Sequence, residues 1–226
     1  MSIAYLLFIG ISILSYAVQA SLQNKYKKYS KVPVSRPYRG CDVAAKMLHD
    51  HGINDVQVTS TKGTLTDFFN PQNRTVNLSD GVYGTNSIMA AAVAAHECGH
   101  AVQHTYGYAP LKLRTILVPI VSFASQWVTW VLLAGIIFIQ AFPGILAIGV
   151  VLFALTTLFS FITLPVEIDA SRRAIAWLEQ SGIAGSNVSM AKDALRSAAY
   201  TYVIAALSSL ATLVYYAMIL LGSRRN

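Results

Sequence analysis

Five histidines are spread over 226 residues, and two of them, His96 and His100, stand four apart in AAVAAHECGHAVQH, Ala91 to His104. Glu97 directly follows the first. On a helix this spacing sends both imidazoles out of one face. Two neutral imidazole nitrogens so placed can ligate one Zn2+ at about 2.0–2.1 Å. Glu97 points to the side, where it can reach a water at the metal and take its proton as general base. The metal is needed because water becomes a useful nucleophile only when its pKa falls to about 7. The bland alternative is a pair of histidines facing solvent or headgroups on an amphipathic helix. Against it, no charge lies between Glu97 and Lys112, and the residues before His96 are small and apolar.

A catalytic zinc needs a third protein ligand and one open position. His104 continues the stripe, but about 12 Å of helical rise separates it from His96, too far to share one tetrahedral ion. It is expected beside the site or at an interface. The longer pattern with a third histidine fails, since Gln103 and Tyr106 stand where glycine and histidine belong. The chain has three glutamates, Glu97, Glu167 and Glu179. Glu167 lies in LPVEIDASRRA with Asp169 two residues on, and two residues apart on a helix they point in nearly opposite directions. Glu167 is taken as the ligand, and Asp169 is a candidate to orient a histidine. The competing account is that Pro165 starts a helix and Glu167 merely stabilises its first turn. Glu179 reads as a solvated helix end.

These residues need elements to hold them, and composition says where those elements lie. The apolar share is 54% and the charged share 12%, about half the charge of a soluble domain. The run from Thr115 to Val166 carries no charge. At about 20 residues per crossing it fits two membrane helices, turning at Ala141–Gly144, where Pro143 and Gly144 interrupt a helix. Ile3 to Leu22 and Ala198 to Gly222 are further candidates, making about four transmembrane helices. Val18-Gln19-Ala20 resembles a signal cleavage site, but no basic residue precedes the apolar run, so it is expected to stay as an anchor.

Basic residues orient the chain. Lys25, Lys27, Lys28, Lys31, Arg36 and Arg39 follow the first helix, Lys112 and Arg114 precede the second, and Arg172 and Arg173 follow the third. All fall on one face, expected to be cytoplasmic. Arg224 and Arg225 stand against this, since a fourth full crossing puts them outside. The net charge of +7 then reads as lysine and arginine facing anionic headgroups of the lipid bilayer, with no nucleic acid implied. Two cysteines on the cytoplasmic side make a structural disulfide unexpected. Cys98 is expected to be a small packing residue.

Between the first two membrane helices, CDVAAKMLHDH (Cys41 to His51) predicts an amphipathic helix burying Val43, Ala44, Met47 and Leu48, with Gly52 as its stop. Val56 to Thr59 alternates as a short strand. Gly63 to Ser79 predicts two extended runs around an Asn70-Pro71-Gln72-Asn73 turn. The run Arg74 to Ser79 could be an edge strand that pairs with an extended substrate, or an ordinary sheet strand. Asn86 or Ser87 caps the motif helix, which reaches about Tyr106.

The set LTDFFNP, VNLSDGVYG, AAHECGHAVQH, LPVEIDASRRA and AAYTYV resembles the bacterial membrane zinc metallopeptidases of the YugP-like family, over nearly the whole chain. The resemblance implies His96, His100 and Glu167 as zinc ligands and Glu97 as catalytic base. It also implies a likeness to gluzincin proteases, in which an aspartate follows the glutamate ligand by four residues. Here that position is Ser171, and Asp169 lies closer. The family's His-Tyr-Asp after Leu-Thr-Asp is Phe68-Phe69-Asn70 here, so that histidine's role does not carry over.

The expected fold is mainly α, an integral membrane protein with a small α+β zincin-like unit at one membrane face. Its parts are a transmembrane helix over 1–24, a segment with the motif helix over 25–112 and a transmembrane hairpin over 113–166. A helical segment with the third ligand follows over 167–197, then a C-terminal transmembrane helix over 198–226. The expected activity is that of a zinc endopeptidase in the bacterial cell membrane, acting on a peptide or protein substrate. Two alternatives stand: an intramembrane protease with the motif helix in the bilayer, and a non-enzymatic zinc-binding scaffold. Tyr200 and Tyr202 are candidate oxyanion donors.

Overall fold

The computed structural model describes residues 3–223, with side chains from 8 to 222. It is mainly helical, with one small mixed sheet. The elements are α1 (Ile3–Tyr29), α2 (Gly40–Asp50), β1 (Gln57–Thr61), β2 (Phe68–Asn70), β3 (Thr75–Ser79), the single turn α3 (Asp80–Tyr83), α4 (Ile88–Thr105), α5 (Ala109–Ile137), α6 (Pro143–Ser181) and α7 (Val188–Ser223). They fall into two compact units. One holds Ala17–Leu111 and Pro165–Thr201; the other holds Met1–Tyr16, Lys112–Leu164 and Tyr202–Asn226.

The first unit is built on the predicted short elements. In α2 the buried face is Val43, Ala44, Met47 and Leu48, as the helical spacing requires. After it, Gly52 takes φ +69, the left-handed conformation at which glycine carries no Cβ penalty. The turn after β2 is held by Asn70, whose Oδ1 accepts from the Gln72 amide at 2.9 Å, a local bond that asparagine makes readily. In β3, Val76 and Leu78 are buried and face the core.

Strand order is β1-β3-β2, with β1 parallel and β2 antiparallel to β3. The run read as a possible edge strand, Arg74 to Ser79, is therefore central, with both backbone edges paired. A half-buried alternating strand has the same pattern at either position, and only the pairing separates them. The sheet's edges are β1 and β2.

Ser87 caps α4, its Oγ accepting from the Ala90 amide at 3.1 Å. This satisfies one of the amides a helix start leaves free. The core gathers α2, β3, α4 and parts of α6 and α7 around Met47, Leu78, Ala91, Ala94, Cys98, Leu178 and Leu195. Cys98 packs there with its thiol toward the Ala44 carbonyl, 3.5 Å away, and both cysteines are free.

In the second unit, Val128, Leu132 and Leu146 form a small core. Phe123, Trp127, Trp130, Ile137 and Val151 are exposed, as a lipid-facing surface would have them. Among the described residues, three helices are long and apolar enough to cross a membrane: Ala109–Ile137, Pro143–Ser181 and Gly185–Gly222. The expected first crossing, Ile3 to Leu22, includes side chains outside the described residues, as do Arg224 and Arg225.

Two helices run across expected segment boundaries. The segments 167–197 and 198–226 do not begin new elements: α6 runs on through Glu167, and α7 through Ala198. Pro165 lies inside α6. A proline there forfeits one helical hydrogen bond, which a 39-residue helix can absorb without ending.

Candidate metal centre

With α6 continuous, Glu167 stands deep within a helix and not in a first turn. The helix-start account of this carboxylate therefore fails. What Glu167 meets instead is the motif helix. Its Oε2 lies 3.2 Å from His96 Nε2 and 3.6 Å from His100 Nε2. The two rings stand edge to face with centroids 4.8 Å apart. The candidate ligand atoms of His96, His100 and Glu167 all lie within 4.8 Å of one another.

Glycine makes this approach possible. A Cβ built on Gly99 would sit 2.6 Å from the Ala170 carbonyl oxygen, inside any real contact. The backbones of α4 and α6 thus touch where the motif has no side chain, between His96 and His100 on one helix and beside Glu167 on the other. A glycine inside a helix costs about 1 kcal/mol relative to alanine, and close approach is a reason to retain it.

The outer nitrogens of both rings are engaged. His96 Nδ1 is 3.1 Å from Ser171 Oγ. His100 Nδ1 is 3.0 Å from Gln103 Oε1, and Gln103 Nε2 donates to the Val166 carbonyl at 2.8 Å and to Asp169 Oδ2 at 3.0 Å. Asp169 also accepts from Arg172 and Arg173, each at 2.6 Å. Both Nε2 atoms are left facing Glu167. Two imidazoles and a carboxylate are a borderline-soft donor set that suits zinc, so these residues fit the ion.

Glu97 is buried beside them. Burial pushes its carboxyl above the usual carboxylate range, while the imidazoles of His96 and His100 draw it partly back. For His100, burial favours the neutral ring, but the Glu167 and Glu97 carboxylates outweigh it and raise its pKa. Asp67 also bears on Glu97. Its carboxylate accepts from the Ser79 amide at 2.7 Å and from the Ser79 hydroxyl at 3.0 Å, and burial raises its pKa.

Comparison with known proteins places the chain in a family. A family model described as "Putative neutral zinc metallopeptidase" matches residues 4–221. The chain belongs to this zinc metallopeptidase family. A relative described as "Putative membrane protease YugP", from Bacillus subtilis (strain 168), is 39% identical over 224 residues, covering 97% of this chain and 99% of the relative. No solved structure matches the chain.

Gln103, Ser171 and Gly99 are the residues to which sequence reasoning gave no part in the site. Gln103 is wholly buried, and a glutamine three residues after a ligand histidine was the signal available. Asp169, the candidate to orient a histidine, is bonded to Gln103. Though two residues from Glu167, it still meets α4, because the long Gln103 side chain reaches to it. His104 packs on Phe69, with ring centroids 5.8 Å apart, and is not one of the three clustered residues. Tyr200 is 54% exposed and outside that group. Tyr202 belongs to the other unit.

Proposed function

We propose that the chain is a membrane-anchored zinc endopeptidase, with His96, His100 and Glu167 as zinc ligands and Glu97 as general base. The observation that carries this reading is the convergence of two imidazole nitrogens and one carboxylate oxygen within 4.8 Å, with Glu97 buried at their side. A zinc ion held by these three residues would supply Lewis-acid chemistry, lowering the pKa of water and polarising a carbonyl. Glu97 would serve as the proton carrier, its carboxylate taking a proton during attack and passing it to the leaving amine. His96, His100 and Glu167 are held by Ser171, Gln103 and the Gly99–Ala170 approach, so the donor set needs little rearrangement. The edge strand β2 packs against α4 through Phe69 and His104. An extended substrate pairing with its free edge would run beside the motif helix.

The protein would sit in the bacterial cell membrane with about four crossings, its lysine- and arginine-rich flanks and metal centre on the cytoplasmic side. This reading is favoured over an intramembrane protease because α4 is packed in the core of its unit through Ala91, Ala94 and Cys98, and it is not among the three long apolar helices.

The test is zinc content and casein cleavage of detergent-purified wild type, Glu97→Gln and Glu167→Ala. Wild type should hold about one zinc per chain. Glu97→Gln should keep zinc and lose cleavage by about 100-fold or more, and Glu167→Ala should lose both. Zinc-free wild type, or normal cleavage by Glu97→Gln, would return the chain to the scaffold reading.

A further inference from the structure

The bonds behind His100 decide which of its nitrogens carries the proton. Gln103 could in principle present either end of its amide to Nδ1. Its nitrogen, however, lies 2.8 Å from the Val166 carbonyl and 3.0 Å from the Asp169 carboxylate. A carbonyl cannot donate, and a carboxylate flanked by the Arg172 and Arg173 guanidinium groups at 2.6 Å is an acceptor as well. The amide NH2 must face those two oxygens. Oε1 then faces His100, and a carbonyl oxygen only accepts, so His100 Nδ1 must carry a proton. In the neutral ring, Nε2 is left as a bare lone pair directed at Glu167.

His96 is held differently. Ser171 Oγ, 3.1 Å from its Nδ1, can donate or accept, so the hydroxyl orients that ring without selecting a tautomer. The one-way chain is confined to His100, and Gln103 within it is wholly buried, so water does not compete for its amide.

We propose that Gln103 and Asp169 are a positioning pair that locks His100 in the tautomer and orientation needed to ligate zinc. This rests on the zinc-site reading above. It assigns Asp169 a role reached through Gln103, one turn beyond the second ligand, in place of direct contact with a histidine. Partners of this kind typically change metal affinity by about 10–100-fold when lost.

The experiment measures zinc affinity of the detergent-purified full chain by competition with a chromophoric chelator. Two variants are compared with wild type. Gln103→Met keeps size and removes the acceptor. Gln103→Glu combined with Asp169→Asn keeps an acceptor toward His100 and a donor–acceptor contact between the two positions at unchanged net charge, while the Val166 carbonyl loses its donor in both variants alike. Positioning predicts that Gln103→Met loses about 10–100-fold in affinity and that the double variant binds more tightly than Gln103→Met. A space-filling role predicts the reverse ranking, since methionine suits a buried site better than a carboxylate, and that ranking overturns the proposal.

If Gln103→Met does not fold, the double variant decides alone. Affinity within about tenfold of wild type supports the pair, and a larger loss overturns it. Because the readout is metal affinity, wild type that binds zinc but cleaves no peptide would sink the peptidase reading and leave this inference standing. Wild type that binds no zinc overturns both.

Discussion

At the scale of single residues, the metal centre separates holding from reacting. His96, His100 and Glu167 converge on one point, with the outer nitrogens of both rings engaged, whereas Glu97 lies beside them with its carboxyl raised by burial. A carboxylate poised above its usual range is better able to hold a proton between its removal from water and its delivery to the amine. That is why Glu97→Gln is expected to act on rate while leaving zinc in place, and why Glu167→Ala should remove the ion itself. The zinc-content and cleavage measurements read these two effects separately, so a variant that lost both at position 97 would move Glu97 into the ligand set.

At the scale of elements, the α4–α6 crossing is the part on which the site depends. Gly99→Ala gains up to about 1 kcal/mol of helix propensity. The new Cβ would meet the Ala170 carbonyl at 2.6 Å, and forcing backbones apart costs about 1–3 kcal/mol. The clash should win, so Gly99→Ala is expected to lower the unfolding temperature and weaken zinc binding together. An unchanged melting curve with full zinc content would show that the crossing tolerates a methyl group.

A second contact ties α2 to α6. Asp50 accepts from Trp177 Nε1 at 3.0 Å and from Lys46 at 2.9 Å. Burial raises its pKa, but these bonds and the Lys46 charge prevail and lower it. A folded-state pKa below the unfolded one, near 3.9, gives a contribution that is present above that pH and lost as pH falls through the folded value. The carboxylate is about one-third exposed, so the discounted contribution is about 1 kcal/mol. Asp50→Asn should therefore melt earlier than wild type at pH 7, with the gap closing in acid. A gap independent of pH would assign the loss to packing.

At the scale of the whole chain, the proposed topology is open to chemical labelling. Cys41 and Cys98 are buried free thiols, so wild type should react slowly with a membrane-impermeant maleimide. Phe142 lies between α5 and α6 and is exposed, as is Lys62 after β1. If the motif unit faces the cytoplasm, Phe142→Cys is labelled in intact cells and Lys62→Cys only after permeabilisation. Labelling in the opposite order would invert the orientation read from the basic flanks.

The sequence by itself determined what local spacing and composition encode. Four-residue spacing placed His96 and His100 on one face, alternation marked Val76 and Leu78 as inward-facing, and uncharged runs marked α5, α6 and α7. These signals lie within one or two turns or one strand, where geometry follows from the backbone repeat. Contacts between distant residues left no such trace. That β3 is the central strand and β2 an edge follows from pairing across loops. Glu167 was expected beside His96 from the scarcity of glutamates and the family resemblance, but how it gets there, from 71 positions away, depends on two helices touching at Gly99 and Ala170. Gln103 reads as an ordinary polar residue until Val166 and Asp169 are brought against it. Only the tertiary structure could decide those points, because each depends on which surfaces pack together.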